Sequence, residues 1–160
     1  MNEATTSLII RVSVNGSAIE REVQVRQTLA DFLRDELGLT ATRLGCEHGV
    51  CGACTILVDG LSVRACLMLA VQADGAEVQT VEGLAKDGAM SPTQRAFWEH
   101  HALQCGFCTS GFLMTAADLE AHRASSDQSE IRDALSGNLC RCTGYANLVD
   151  AIAEVLRRRQ

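Results

Sequence analysis

The sequence lacks what would send it to a membrane or to nucleic acid. No apolar run approaches the roughly eighteen residues that a membrane span requires. Basic residues are outnumbered, 14 Lys and Arg against 20 Asp and Glu for a formal charge of −6, which excludes the electrostatic footprint of a nucleic-acid binder. The opening residues Met1 to Thr6 are polar and acidic, with no basic segment, apolar stretch or twin arginine. No export signal is read there, and a cytoplasmic location is expected. Proline occurs once, at Pro92. With 160 residues the chain has room for one or two small domains with real cores, but not for a large cofactor-binding domain as well. It must share its work with other chains.

Cysteine, by contrast, is abundant. Eight cysteines in a chain without an export signal are better explained as metal ligands than as disulfides. Three lie in the glycine-threaded stretch Gly45-Cys46-Glu47-His48-Gly49-Val50-Cys51-Gly52-Ala53-Cys54-Thr55. With Cys66 they read C-x4-C-x2-C-x11-C, the plant-type spacing for a [2Fe-2S] cluster. Such a core on four thiolates carries a formal charge of about −2, which a low-dielectric interior tolerates only if hydrogen-bond donors face the sulfurs. Gly45, Gly49 and Gly52 let the chain take φ > 0 and turn successive amides inward, as an anion-binding nest does. Val50 and Ala53 are small or apolar enough to form a lid. His48 has the character of a Rieske ligand, but all four thiol positions are filled, so it reads as an exposed loop histidine.

Around this loop the pattern is mixed. Leu8, Ile10, Val12 and Val14 alternate onto one face, Asn15-Gly16 signals a type I′ turn, and Ile19 to Val25 returns with Ile19, Val23 and Val25 inward. Thr28 caps a helix with Asp31 at N3; Leu29, Phe32, Leu33 and Leu37 recur at helical spacing, and Gly38 closes it. Thr55 to Val58, Asp59-Gly60 and Leu61 to Ala65 make a second hairpin, and Glu77 to Val81 a fifth strand. The expectation is a small mixed sheet with a helix on one face, ending near residue 82, with a linker over 83–91.

Helical patterns then take over. Ser91, Pro92 and Gln94 form a capping box for a helix carrying Ala96, Phe97 and Leu103 up to Gln104. Thr109 or Ser110 caps a second, with Phe112, Leu113, Ala116, Ala117 and Leu119 inward. Asp127 and Glu130 cap a third, through Leu135 and ended by Gly137. A fourth runs from about Asn147 to Leu156, its Arg157, Arg158 and Arg159 tail suiting the helix dipole. Residues 92–160 thus read as a four-helix unit with cysteines in its two interhelical turns. His100 and His101 read as solvated, and Phe97, Phe107 and Phe112 as core.

Those turns carry Cys105-x2-Cys108 and Cys140-x1-Cys142, 31 residues apart. A C-x-C pair fits a knuckle-type zinc site poorly, though both sulfurs reach one iron if the turn is irregular. Taken alone, this set leaves zinc and iron–sulfur open. Together with the first set, and through Gln104-Cys105-Gly106-Phe107-Cys108-Thr109 and Gly137-Asn138-Leu139-Cys140-Arg141-Cys142-Thr143-Gly144-Tyr145, the chain from Leu8 to about Leu156 resembles the small iron–sulfur subunit of the molybdenum hydroxylases, the xanthine oxidase and aerobic carbon monoxide dehydrogenase family.

The resemblance implies an α+β chain: an N-terminal β-grasp, plant-type ferredoxin-like domain followed by an all-α four-helix domain, each with one [2Fe-2S] cluster. It matches Cys46, Cys51, Cys54 and Cys66 to the cluster nearer a flavin, and Cys105, Cys108, Cys140 and Cys142 to the cluster nearer molybdenum. Gln104 and Cys142 correspond to residues lying against the pterin. Many relatives carry proline where this chain has Ser110, a good N-cap. Arg141 either raises its cluster's potential or pairs with a surface carboxylate. The implied partners are a large molybdopterin-binding subunit and a medium FAD-binding subunit, in a dimer of heterotrimers. The implied role is that of an oxidoreductase subunit that binds no substrate and passes electrons from molybdopterin to FAD or another acceptor. The rival readings are a free two-cluster ferredoxin-like carrier and a structural zinc protein.

Overall fold

Asn15 and Gly16 take φ of 51° and 81°, the left-handed pair a type I′ turn needs. In a computed structural model, which describes residues 6–122 and 124–158, they join β1 (Ser7–Val14) to β2 (Ser17–Gln24) as an antiparallel pair. Ile10, Val12, Val14 and Val23 are buried, whereas Leu8, expected beside them, is 47% exposed. The strand on the other side of β1 reaches only Ser13 and Val14, so the start of β1 has no second neighbour to cover it. Met1 to Thr5 and Arg159 lie outside the described residues.

Thr28 caps the next helix as expected, its Oγ1 accepting the Asp31 N–H at 3.1 Å. The helix starts as α1 (Leu29–Asp31) and widens into a π turn, Phe32–Glu36, closed by the Leu37 N–H on the Phe32 carbonyl at 3.2 Å with Gly38 left-handed at φ 70°. Leu29, Ala30, Phe32 and Leu33 are fully buried in the first core. A second type I′ turn at Asp59 and Gly60 joins β3 (Thr55–Val58) to β4 (Leu61–Arg64). The fifth strand, β5 (Glu77–Gln79), inserts between β1, to which it is parallel, and β3, to which it is antiparallel. The sheet order is β2-β1-β5-β3-β4.

The fifth strand stops at Gln79, short of Val81, because Val81–Leu84 coil into a 3-10 turn. Val81 and Leu84 of that turn pack against the helical core, and Lys86 bridges to Ala89 around left-handed Asp87 and Gly88. The stretch read as linker is therefore partly structured.

Ser91, Pro92 and Gln94 build the expected capping box at the start of α2 (Pro92–Glu99). The helix ends five residues before Gln104, however. His101 turns left-handed at φ 51°, its N–H bonds Trp98 O at 3.1 Å, and the Ala102 N–H bonds Phe97 O at 2.8 Å, a Schellman motif without glycine. Ala102 thereby enters the core in place of Leu103, which is 44% exposed. His100 is not solvated: its Nε2 bonds Glu154 on α5 (Tyr145–Arg157). That helix begins two residues before Asn147.

α3 (Thr109–Ala121) has neither expected cap; Cys108 occupies the N-cap position without a side-chain bond. Phe112, Leu113 and Ala116 face the helical core, Ala117 and Leu119 are half-buried, and Met114 and Thr115 are buried as well. The helix is covered on both sides because it packs on β3 as well as on α5; all four residues of β3 are buried. Asp127 caps α4 (Gln128–Ala134). The second core gathers Phe97, Phe112, Ile131, Leu148 and Ile152, with the Tyr145 ring edge-on to Phe112 at 6.2 Å.

Candidate metal centres

The first loop is held between α1 and β3. Glu47, Gly49 and Gly52 take φ of 57°, 83° and 71°. Gly45, expected to be left-handed like Gly49 and Gly52, is not; it is needed for room, since a Cβ there would lie 3.1 Å from Cys51 Sγ and 3.3 Å from the Phe107 ring. The turned amides point at sulfur. Cys51 N–H donates to Cys46 Sγ at 3.3 Å, and with the His48 amide it brings the Cys46 thiol from the usual 9.0 down to about 6. Cys54 and Cys66, at the start of β3 and just beyond β4, are buried. Burial, and then the Cys66 thiol beside it, push Cys54 up to about 11. The four thiols thus fall into an outer pair, Cys46 and Cys51, and an inner pair, Cys54 and Cys66.

Ala53 is buried, but Val50 is 56% exposed and does not close a lid by itself. Leu67, a residue not singled out from sequence, leans over Gly49, occupying the space a Cβ would need. His48 is exposed and donates from Nδ1 to the Cys46 carbonyl.

In the second set Gly106 at φ 82° and Thr143 at φ 59° bend the two turns. Across them the Cys105 thiol lies beside that of Cys142, and the Cys108 thiol beside that of Cys140. The Phe107 amide lowers Cys105, whereas burial raises Cys108 to about 12. Gly144 N–H faces Cys140 Sγ at 3.4 Å, and Cys140 N–H donates to Tyr145 Oη at 2.8 Å. Gln104 and Cys142 line one small cavity with Leu103, Cys105 and Leu148; Gln104 is exposed, its amide 3.5 Å from where a Gly144 Cβ would be. Arg141 is exposed and, among the described residues, forms no ion pair.

The two sets lie back to back. Leu139, next to Cys140, donates its N–H to the Cys51 carbonyl at 2.9 Å. A Cβ on Gly52 would meet Gly137 O at 2.4 Å, and one on Gly111 would meet Gly52 O at 2.2 Å. Gly137 is not a left-handed helix stop; its missing side chain admits the Arg64 guanidinium. Phe107, expected in the core, is 47% exposed and lies against Gly45 of the first loop. Ser110 Oγ reaches Ala53 O at 3.5 Å instead of capping its helix.

Two sets of four thiols, each divided into two pairs with backbone amides aimed at sulfur, have the donor chemistry that a binuclear iron–sulfur core needs. Fold and donor set together define a two-centre iron–sulfur protein. Residues 12–85 match the 2Fe-2S iron-sulfur cluster binding domain and residues 80–153 the [2Fe-2S] binding domain. The chain is 59% identical over 153 residues to caffeine dehydrogenase subunit gamma of Pseudomonas sp. (strain CBB1), covering 94% of this chain and 92% of that one. To the nicotine 6-hydroxylase small subunit of Paenarthrobacter nicotinovorans it is 58% identical, over 91% of this chain and 87% of that one. The crystal structure of quinoline 2-oxidoreductase from Pseudomonas putida 86 superposes with a TM-score of 0.90 at 48% identity, covering 96% and 98% of the two chains. The chain belongs to the small iron–sulfur subunits of the molybdenum hydroxylase, or xanthine oxidase, family, the electron-transfer members of multi-subunit oxidoreductases.

Proposed function

We propose that Cys46, Cys51, Cys54 and Cys66 hold one [2Fe-2S] cluster and Cys105, Cys108, Cys140 and Cys142 the other, and that electrons enter at the second set and leave from the first. Each cluster, when bound, takes up and passes on one electron at a time. The chain's own residues supply the rest: amides of the first loop and of Gly144 offset the negative charge at sulfur, and burial of Cys54 and Cys66 keeps water from the inner pair. The observation that carries the reading is the Leu139 N–H to Cys51 O bond of 2.9 Å, which joins the ligand segment of one set directly to that of the other.

Gln104 and Cys142, which line one small cavity, are the residues we assign to the pterin of a large molybdopterin-binding subunit. The first loop faces a medium FAD-binding subunit. We take residues 1–82 as the ferredoxin-like domain and 92–160 as the four-helix domain, in a cytoplasmic dimer of heterotrimers. Relatives named for caffeine, nicotine and quinoline favour an N-heterocycle as the substrate of the whole enzyme, bound on another chain. A free two-cluster carrier is not favoured, since those relatives are subunits of larger enzymes.

The test uses the assembled complex. Cys142→Ala should remove the EPR signal of the second centre and stop reduction of the remaining one by substrate. Cys51→Ala should leave the second centre reducible but halt delivery to the acceptor; full turnover by the Cys51 variant would overturn the proposed order.

A further inference from the structure

Between the two thiol sets lies a buried polar joint assembled from four segments of the chain. Asn138, 2% exposed, donates from Nδ2 to Gly52 O at 3.1 Å and accepts at Oδ1 from Thr115 Oγ1 at 3.2 Å. Arg64 completes it, donating from Nη1 to Thr55 Oγ1 at 2.6 Å and from Nη2 to Gly137 O at 2.7 Å, with Asn138 Oδ1 at 3.5 Å. Thr55 Oγ1 in turn donates to Gly52 O at 2.6 Å.

Two properties set this joint apart from ordinary packing. First, most of the groups it ties down border a thiol: Gly52 follows Cys51, Thr55 follows Cys54, and Asn138 stands two residues before Cys140. Second, among the described residues Arg64 forms no ion pair; its cation is half-buried against neutral oxygens only. Such a charge is costly to bury without a negative counterpart. Two [2Fe-2S] cores of about −2 each, held when bound by the thiols whose segments the joint ties together, would supply it.

We infer that Arg64 and Asn138 are positioning residues for electron transfer between the two centres: the joint keeps Leu139 N–H on the Cys51 carbonyl, and the Arg64 charge stabilises the electron on either side of it. In that step one electron leaves the second centre and arrives at the first, with no bond or proton exchanged. The inference rests on the two-centre reading above.

The holoenzyme complex tests it through two readouts, the reduction potential of each centre and the rate at which an electron delivered to one reaches the other. Asn138→Ala should slow that rate about tenfold, what about 1.4 kcal/mol on a barrier amounts to, and leave both potentials in place. Arg64→Gln should slow it and lower both potentials. Arg64→Lys keeps the charge but not the planar fork that spans three oxygens, so it should slow the rate while holding the potentials. Thr115→Val, which removes the hydroxyl's bonds to Asn138 Oδ1 and Gly111 O and keeps the shape, should give a smaller slowing. Unchanged rates and potentials in Asn138→Ala and Arg64→Gln at full iron content would overturn the inference, as would loss of iron from all four variants, which would make the joint an assembly feature only. An unaltered complex without two [2Fe-2S] signals would instead overturn the two-centre reading itself.

Discussion

At Gly52 the backbone is left-handed and a methyl group would lie 2.4 Å from the Gly137 carbonyl, so two independent constraints meet on one residue. Gly52→Ala should therefore lower stability by about 1–3 kcal/mol, read as a fall in melting temperature with partial loss of iron; an unchanged melting curve would mean that the two loops part easily. Half of this was legible. The glycines of the first loop mark left-handed turns, and Gly49 and Gly52 are such positions. The other half was not: Gly45 and Gly137 are glycine because Phe107 and Arg64 come close, and contacts made across tens of residues leave no trace in local spacing. Phe107 is the same lesson reversed. An aromatic between two cysteines reads as core, yet it lies half exposed on the first loop.

Among the elements, α1, α2 and α4 start at the caps read for them, whereas α3 does not. Ser91 Oγ accepts the Gln94 N–H at 3.1 Å, and the Gln94 side chain accepts the Ser91 N–H at 2.8 Å. Ser91→Ala should cost about 1 kcal/mol, measurable as a shift in denaturation midpoint; no shift would show that Pro92 alone holds the start of α2. Ends were less legible, since the Schellman turn at His101 uses a residue that rarely turns left-handed. The same helix end sets up a pH effect. The His100 hydrogen bond, followed by the charge of Arg158, holds the Glu154 carboxyl below its usual 4.5. A depressed carboxylate stabilises the fold above that unfolded value and loses its contribution as pH falls through the folded one. The unaltered chain should thus melt higher than Glu154→Gln at neutral pH, the gap closing below about pH 4.5; a gap that persists in acid would show that packing, not charge, is responsible.

For the molecule as a whole, α3 is a wall shared by sheet and helices, and the Arg64 to Gly137 and Leu139 to Cys51 bonds reinforce it. The two cores should melt together. Lys86, the chain's single lysine, sits exposed in the turn before α2, so a lysine-specific protease can cut once between them. The fragments should co-elute under native conditions and separate only in denaturant; separation on simple dilution would show that the interface is weak.

The sequence by itself determined the spacing of the two four-cysteine sets, the hairpins and the capped starts of α1, α2 and α4, because spacing, turn residues and caps act over a few neighbouring residues. Only the tertiary structure decided which thiol faces which, why Leu8 and Phe107 stay exposed, and how Arg64 and Asn138 lock one loop to the other. Those outcomes depend on how closely distant backbones approach, and that distance is set by packing around α3 rather than by any local pattern.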